Sequence, residues 1–266
     1  MQRPLFFILW SSLFLTLQPQ IETQAKANWS GKVGAYRIEV SDTHIQQTQP
    51  VKKTILPLLQ SMGDDEMFCE AERNVWLKSW VGTLVSFQQS DDWNCIATAH
   101  PGAYAQVKTL NLVTHKPLKL TDIFPDQLVL KALLADAIVK KHLPANPPTF
   151  SSSQHLMDYL VERGTGECAY TFGEESLSEF YFHHLKGNQV AVRMGLSHGC
   201  EAARGMLTEI GFYLTLPQAW QSSFQQAAQG KAGFLAQNNP VSTLKVQQQV
   251  KDPGYDAALK AFLSAH

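Results

Sequence analysis

Between Glu179 and Leu216 the side chains alternate in polarity with a period of two, and this alternation limits the fold of the chain more than any other feature. Phe180 and Phe182 share one face of an extended segment, with Tyr181 and His183 on the other. Leu185, Lys186, Gly187 and Asn188 supply a turn able to reach positive φ. Val190, Val192 and Met194 then oppose Ala191 and Arg193, so a β-hairpin is expected. Ile210, Phe212, Leu214 and Leu216 alternate in turn with Glu209, Gly211, Tyr213 and Thr215, a third antiparallel strand that Pro217 ends.

The N-terminus sets the compartment. An apolar run from Leu5 to Leu17 follows the single charge of Arg3 and is too short to span a bilayer comfortably. Ala25-Lys26-Ala27 places small residues where a signal peptidase reads, so residues 1–27 are expected to be a signal peptide, with a retained anchor as the alternative. The product is expected to be periplasmic or secreted. Residues 28–266 are long enough for one domain, read as an N-terminal lobe to about residue 98, a central region over 99–220 and a helical tail over 221–266. Removing Arg3, Lys26 and Glu22 leaves a net charge of −2, and no Lys/Arg cluster interleaves with aromatics, so nucleic acid is not an expected partner. No segment of the mature chain is long and apolar enough to be a transmembrane helix.

The mature part holds Cys69, Cys95, Cys168 and Cys200. An even count in an oxidising compartment predicts two disulfides, and of the three connectivities Cys69–Cys95 and Cys168–Cys200 are expected because each closes a loop within one half of the chain. Zinc is the rival, but C-x-x-C and H-x-x-H pairs are missing, so neither a metal nor any other cofactor is expected. His183 and His184 adjoin on a strand and are expected to point to opposite faces, which argues against their sharing a metal. The acidic run Gly63 to Glu66 reads as a solvated loop, since a calcium loop needs more oxygen ligands at defined spacing.

Along the chain, Lys32 to Val40 reads as one strand, Gln46 to Gln49 as a polar stretch, and Val51 to Gln60 as a helix carrying Ile55, Leu58 and Leu59. Trp76 to Phe87 reads as a strand, Gln88 to Asn94 as a polar turn, and Cys95 to His100 and Tyr104 to Val113 as strands joined through Pro101-Gly102. A helix is expected from Pro125 to Lys141, with Leu130, Leu134 and Ile138 on one stripe. A second, capped by Ser152 or Ser153, stops at Gly164, and a third follows Pro217 to Ala228. Gln225 to Val250, rich in Gln, Asn, Ala and Gly, reads as loosely held, and a last amphipathic helix carries Tyr255, Leu259, Phe262 and Leu263. The class expected is α+β, antiparallel sheets with packed helices.

The run Ala99-His100-Pro101-Gly102-Ala103-Tyr104, an extended segment, and Thr121-Asp122-Ile123-Phe124 before a helix resemble the extracytoplasmic domain of the lysozyme-binding anti-sigma factor of Gram-positive bacteria, shared with many periplasmic proteins and lipoproteins. Phe180 to Trp220, ending in Leu214-Thr215-Leu216-Pro217, would be the family's later strand pair and closing strand. The chain departs from the pattern in having Thr98 or Ala99 where a glycine usually precedes the His, and in carrying no polysaccharide deacetylase module. The resemblance implies the α+β fold of that ectodomain; lysozyme binding belongs to one branch of the family, its contact residues cannot be matched here, and the resemblance alone does not carry it over.

Gly195-Leu196-Ser197-His198-Gly199 matches G-x-S-x-G, which in a hydrolase places a serine on a strained turn from strand to helix. Ser197 would be the nucleophile, Glu201 to Leu207 the helix, and Asp252 or Asp256 with His266 the later acid and base. Against this stand the antiparallel alternation and the lack of a Gly-rich oxyanion loop upstream. His100 and His198 can approach each other across the sheet and line a cleft with Asp122; alternatively each is a hydrogen-bonded structural histidine. His100, Tyr104 and His198 are therefore the binding candidates. The function expected is non-catalytic binding in the cell envelope, of a protein such as lysozyme or of a cell-wall glycan, with a Ser197 esterase as the alternative.

Overall fold

Three antiparallel sheets and five helices organise the described residues. The computed structural model describes residues 27–56, 59–60, 67–164, 170–198, 200 and 203–265. Residues 1–26 of the expected signal peptide, the Gly63 to Glu66 loop, Cys168 and His266 lie outside them.

β1 (Trp29–Val33) and β2 (Tyr36–Val40) pair across a two-residue turn with Gly34 at φ +58°. The single strand expected over Lys32 to Val40 is therefore parts of two, because glycine alone reaches that φ without strain. β3 (Ile45–Gln49) and β4 (Lys53–Thr54) complete a four-stranded sheet in the order β1-β2-β3-β4. The Gln/Thr stretch is thus strand, anchored by buried Ile45 and Gln47, and the described part of Val51 to Gln60 is strand and bend instead of helix.

β5 (Cys69–Val81) and β6 (Leu84–Cys95) form a long hairpin around Gly82 at φ +57°. Gln88 to Asn94, read as a turn, continues β6: its backbone pairs with β5 on one side and with β7 (Gly102–Asn111) on the other, so polar side chains ride on a satisfied ladder. Cys95 to His100 is a turn and not a strand, with Ala97 at φ 66° and Thr98 donating through Oγ1 to the Cys95 carbonyl at 2.7 Å. β8 (Lys116–Pro117) pairs with the end of β7.

The long helix expected to reach Lys141 is broken in two. α1 (Asp126–Ala135) ends at Asp136, whose side chain caps α2 (Ala137–Lys141) by accepting from the Ile138 and Val139 amides. α3 (Ser153–Arg163) starts where expected, Ser152 Oγ accepting from His155 N, and stops at Gly164. β9 (Phe180–Lys186), β10 (Gln189–Ser197) and β11 (Leu207–Thr215) form the expected three-stranded sheet, ordered β11-β10-β9. α4 (Gln218–Ala228) follows Pro217. Residues 229–251 are not loose: Phe234 bridges Trp80 through two backbone hydrogen bonds, and β12 (Val246–Lys251) pairs antiparallel with β5. The central sheet is therefore five-stranded, β12-β5-β6-β7-β8, and α5 (Tyr255–Ala265) closes the chain.

One core joins the four-stranded and central sheets around Ile38, Ile45, Val75, Leu77, Trp80, Val85 and Phe87. The other packs β9, β10 and β11 on α1, α3 and α4 around Phe180, Phe182, Val192, Leu133, Leu156 and Phe224. β9 touches β5, β6 and β7, and polar side chains meet its unpaired edge. Ser79 Oγ accepts from Phe182 N at 3.3 Å, and Thr109 Oγ1, bonded to Ser86 Oγ at 2.7 Å, donates to the Phe180 carbonyl at 2.5 Å. Buried Ser79, Ser86 and Thr109 thus satisfy a strand edge that would otherwise lie dry and unpaired.

Cys69 and Cys95 face each other across β5 and β6 and form the expected disulfide. Cys200 is also disulfide-bonded, and its expected partner Cys168 lies outside the described residues. No helix among the described residues is long and apolar enough to cross a membrane.

Candidate binding groove

Ser197 is the last residue of β10, paired with Leu207 of β11. Beyond it Ala203 is in a 3₁₀ turn, the chain turns over residues 204–206 and enters an antiparallel strand at Leu207, where an elbow requires a helix that continues. Its Oγ donates to the Ala105 carbonyl of β7 at 2.8 Å, which fastens β10 to the central sheet. The oxygen also neighbours Tyr104.

Tyr104 donates through its hydroxyl to Glu179 Oε1 at 3.4 Å. Glu179 is 8% exposed, and burial pushes its carboxyl up to about 7; the Tyr104 hydroxyl and the Lys108 ammonium oppose that rise, and the Glu175 carboxylate adds to it. Burial likewise raises the Tyr104 phenol. Of the sequence candidates, then, Tyr104 and Ser197 are brought together, and Glu179 joins them.

The two histidines do not join them. His198 turns to Thr208, Nε2 lying 2.9 Å from Oγ1, and its buried Nδ1 has no hydrogen-bond partner among the described residues. Burial lowers its pKa. His100 sits exposed on the turn after Cys95, and Asp122 caps its own 3₁₀ turn by accepting from Lys119 N at 2.7 Å.

An opening lies elsewhere, on the half of the central sheet that β9 leaves uncovered. It is a groove of about 780 Å³. Strand register lays its polar side chains in two rows, Lys251, Glu70 and Asn94 across β12, β5 and β6, and Gln249, Glu72 and Asp92 across the same strands, the second row ending at the Ala103 methyl of β7. Arg204 stands on the wall, in the turn between β10 and β11. Gly205 allows that turn to come down: its φ is +74°, and a Cβ there would lie 2.9 Å from the Ala103 methyl.

Charge in the groove is locally balanced. Asn74 and Gln249 donate to Glu72 at 2.7 and 3.1 Å and hold its carboxyl below the usual range. Lys251 reaches Asp256 at 3.0 Å and Glu70 at 3.5 Å, which raises its pKa. Asp92 and Asn94 are exposed, and the Asn94 amide also donates to the Tyr255 hydroxyl at 3.3 Å. The signal for these residues was in the chain: Glu70, Glu72, Asp92 and Asn94 alternate with Ala71, Arg73, Trp93 and Cys95. Reading Gln88 to Asn94 as a turn concealed it.

The expectation that His183 and His184 point to opposite faces is overturned. Ala191 pairs with His184 and Val192 with Phe182, so His183 is an extra residue in a β-bulge. The bulge turns both rings together, Nδ1 to Nδ1 at 2.8 Å, while His184 Nε2 lies 3.1 Å from the Tyr213 hydroxyl. Burial and the neighbouring His184 lower the His183 pKa.

Fold and groove together define an α+β protein of three antiparallel sheets with an open polar cleft. No protein-family model, curated protein or solved structure matches the chain.

Proposed function

We propose that the chain is an exported cell-envelope binding protein, and that its central-sheet groove holds a hydroxyl-rich glycan such as a cell-wall fragment. The observation that carries this is the pair of cross-strand rows, carboxylates and carboxamides fixed on a rigid sheet at an opening of about 780 Å³. That volume suits a ligand of a few rings. Side-chain carboxylates and amides accept from and donate to sugar hydroxyls, and a sheet holds them with little entropy left to lose on binding. The Cys69–Cys95 disulfide supports an oxidising compartment. The rival is an ester hydrolase built on Ser197; the hydrogen bond from Ser197 Oγ to the Ala105 carbonyl favours a fastening role instead.

Calorimetric titration of the mature chain with soluble muropeptides tests the reading. Saturable binding is expected, weakened about tenfold or more by Asp92→Ala and by less at Asn94→Ala, since a hydrogen bond to a charged group contributes about 1.5–3 kcal/mol and a neutral one about 0.5–1.5 kcal/mol. Ser197→Ala should leave it unchanged. Binding to lysozyme in place of glycans would move the ligand class to protein. Turnover of an activated ester that Ser197→Ala abolishes would replace the reading with the hydrolase.

A further inference from the structure

We propose that His183 and His184 form a binding site for a late first-row divalent metal ion of tetragonal preference, copper(II) foremost. Adjacent strand residues ordinarily diverge, so the bulge at His183 is what creates the pair. Such bulges recur where a strand must re-aim a side chain.

The spacing selects the metal. An ion about 2.0 Å from each nitrogen, the usual metal–imidazole distance, would see two nitrogens 2.8 Å apart at an angle of about 90°. A tetrahedral ion at that bond length needs them about 3.3 Å apart. Cis positions near a right angle belong to tetragonal copper(II) and nickel(II), and copper(II) binds imidazole more tightly.

The tautomers agree. Tyr213 Oη lies 3.1 Å from His184 Nε2; with Nε2 protonated and donating its hydrogen bond to that hydroxyl, the lone pair of His184 is on Nδ1. Without metal, His183 donates from Nδ1 to that lone pair. With metal, the proton moves through solvent to His183 Nε2, and both Nδ1 atoms become ligands, with no net change in protonation. Both rings are partly exposed, so water completes the coordination.

Charges of both signs surround the pair. Lys78 Nζ lies 4.7 Å over the Tyr181 ring and Lys186 Nζ 5.4 Å over the Tyr213 ring, while Arg193 lies against Gly211. Arg193 and Lys78 nevertheless act on the His183 ring through their charge and oppose a cation there, so the site relies on its two imidazole ligands and not on the surrounding field. Glu209, which accepts from Tyr181 Oη at 2.9 Å, supplies a nearby negative charge.

The test is titration of copper(II) into the mature chain, prepared without a histidine tag, followed by paramagnetic resonance and by competition with a chelator. One ion per chain is expected, with the nitrogen superhyperfine pattern of imidazole ligands. His183→Ala and His184→Ala should each weaken binding about tenfold or more, with circular dichroism unchanged. Equal affinity in wild type and both variants overturns the proposal. Should a variant disturb β9, the unmodified protein decides: substoichiometric copper(II) must broaden the His183 and His184 ring resonances first, and first broadening at any other histidine refutes the site.

Discussion

Burial at Glu179 turns one carboxyl into a pH-dependent load on the fold. Its ordinary value is 4.5, and in the folded chain it rises to about 7. A raised carboxyl means that the native state keeps a proton which the unfolded state releases, so stability falls as pH climbs from about 4.5 to about 7 and is level outside that window. The difference amounts to about 3 kcal/mol at pH 8. Glu179→Gln keeps an acceptor for Tyr104 and carries no charge. Urea unfolding should show the variant more stable than wild type at pH 8 by up to ~3 kcal/mol and about equal at pH 4; a constant difference across pH would refute the assignment. Nothing in the sequence set Glu179 apart from the other acidic residues. Ser197 was prominent there, yet its role depends on the Ala105 carbonyl 92 residues away, a contact that no local pattern encodes. His183 and His184 misled for a related reason: alternation foretells direction only while the register is unbroken, and the bulge breaks it.

Elements whose signals are local were legible. The β9 to β11 alternation, the turn at Gly187, the Ser152 cap, Gly164 and Pro217 all lie where they were expected, because each is fixed by a few neighbouring residues. Errors fell on elements whose partners are remote. Polar β6 and β12 are strands because β5 pairs with both of them and β7 with β6, not because their own side chains favour it. The segment before β12 shows the same dependence at Gly233. Its φ is +83°, and a Cβ would lie 2.1 Å from the Trp80 carbonyl oxygen, in the bridge that joins Phe234 to Trp80. Gly233→Ala must therefore move backbone as well as strain φ. A loss of about 2–4 kcal/mol in the unfolding free energy is expected, against about 1 kcal/mol for Gly34→Ala, whose Cβ meets nothing and which carries only the strain of its positive φ. Equal losses at the two sites would show that the bridge does not constrain the fold.

At the scale of the whole molecule, the C-terminal third is built into both cores. Phe224, Ala227 and Leu235 belong to the helix-backed core, and Phe234, Val241 and Val246 to the core between the sheets. Residues 221–266, expected as a helical tail of the one domain, also supply β12 to the central sheet, and residue 98, where the N-terminal lobe was expected to end, lies between the adjacent strands β6 and β7 of that sheet. Removing residues 234–266 would strip Phe234, Leu235, Val241 and Val246, each at most 2% exposed, and would leave β5 an unpaired edge. At about 1.5–3 kcal/mol for each buried side chain, the loss is about 6–12 kcal/mol, as large as the whole stability of a typical domain. This truncation should show no cooperative unfolding transition and should be digested rapidly by protease. Removing only residues 253–266 takes away α5 and a single well-buried side chain, Tyr255 at 3% exposure, while β12 stays paired. That shorter truncation should keep a cooperative transition at a lower urea midpoint, and with it the groove rows that Glu70, Glu72, Asp92 and Asn94 form. If the longer truncation also unfolds cooperatively, the fifth strand is an accessory and the two cores are closed without it.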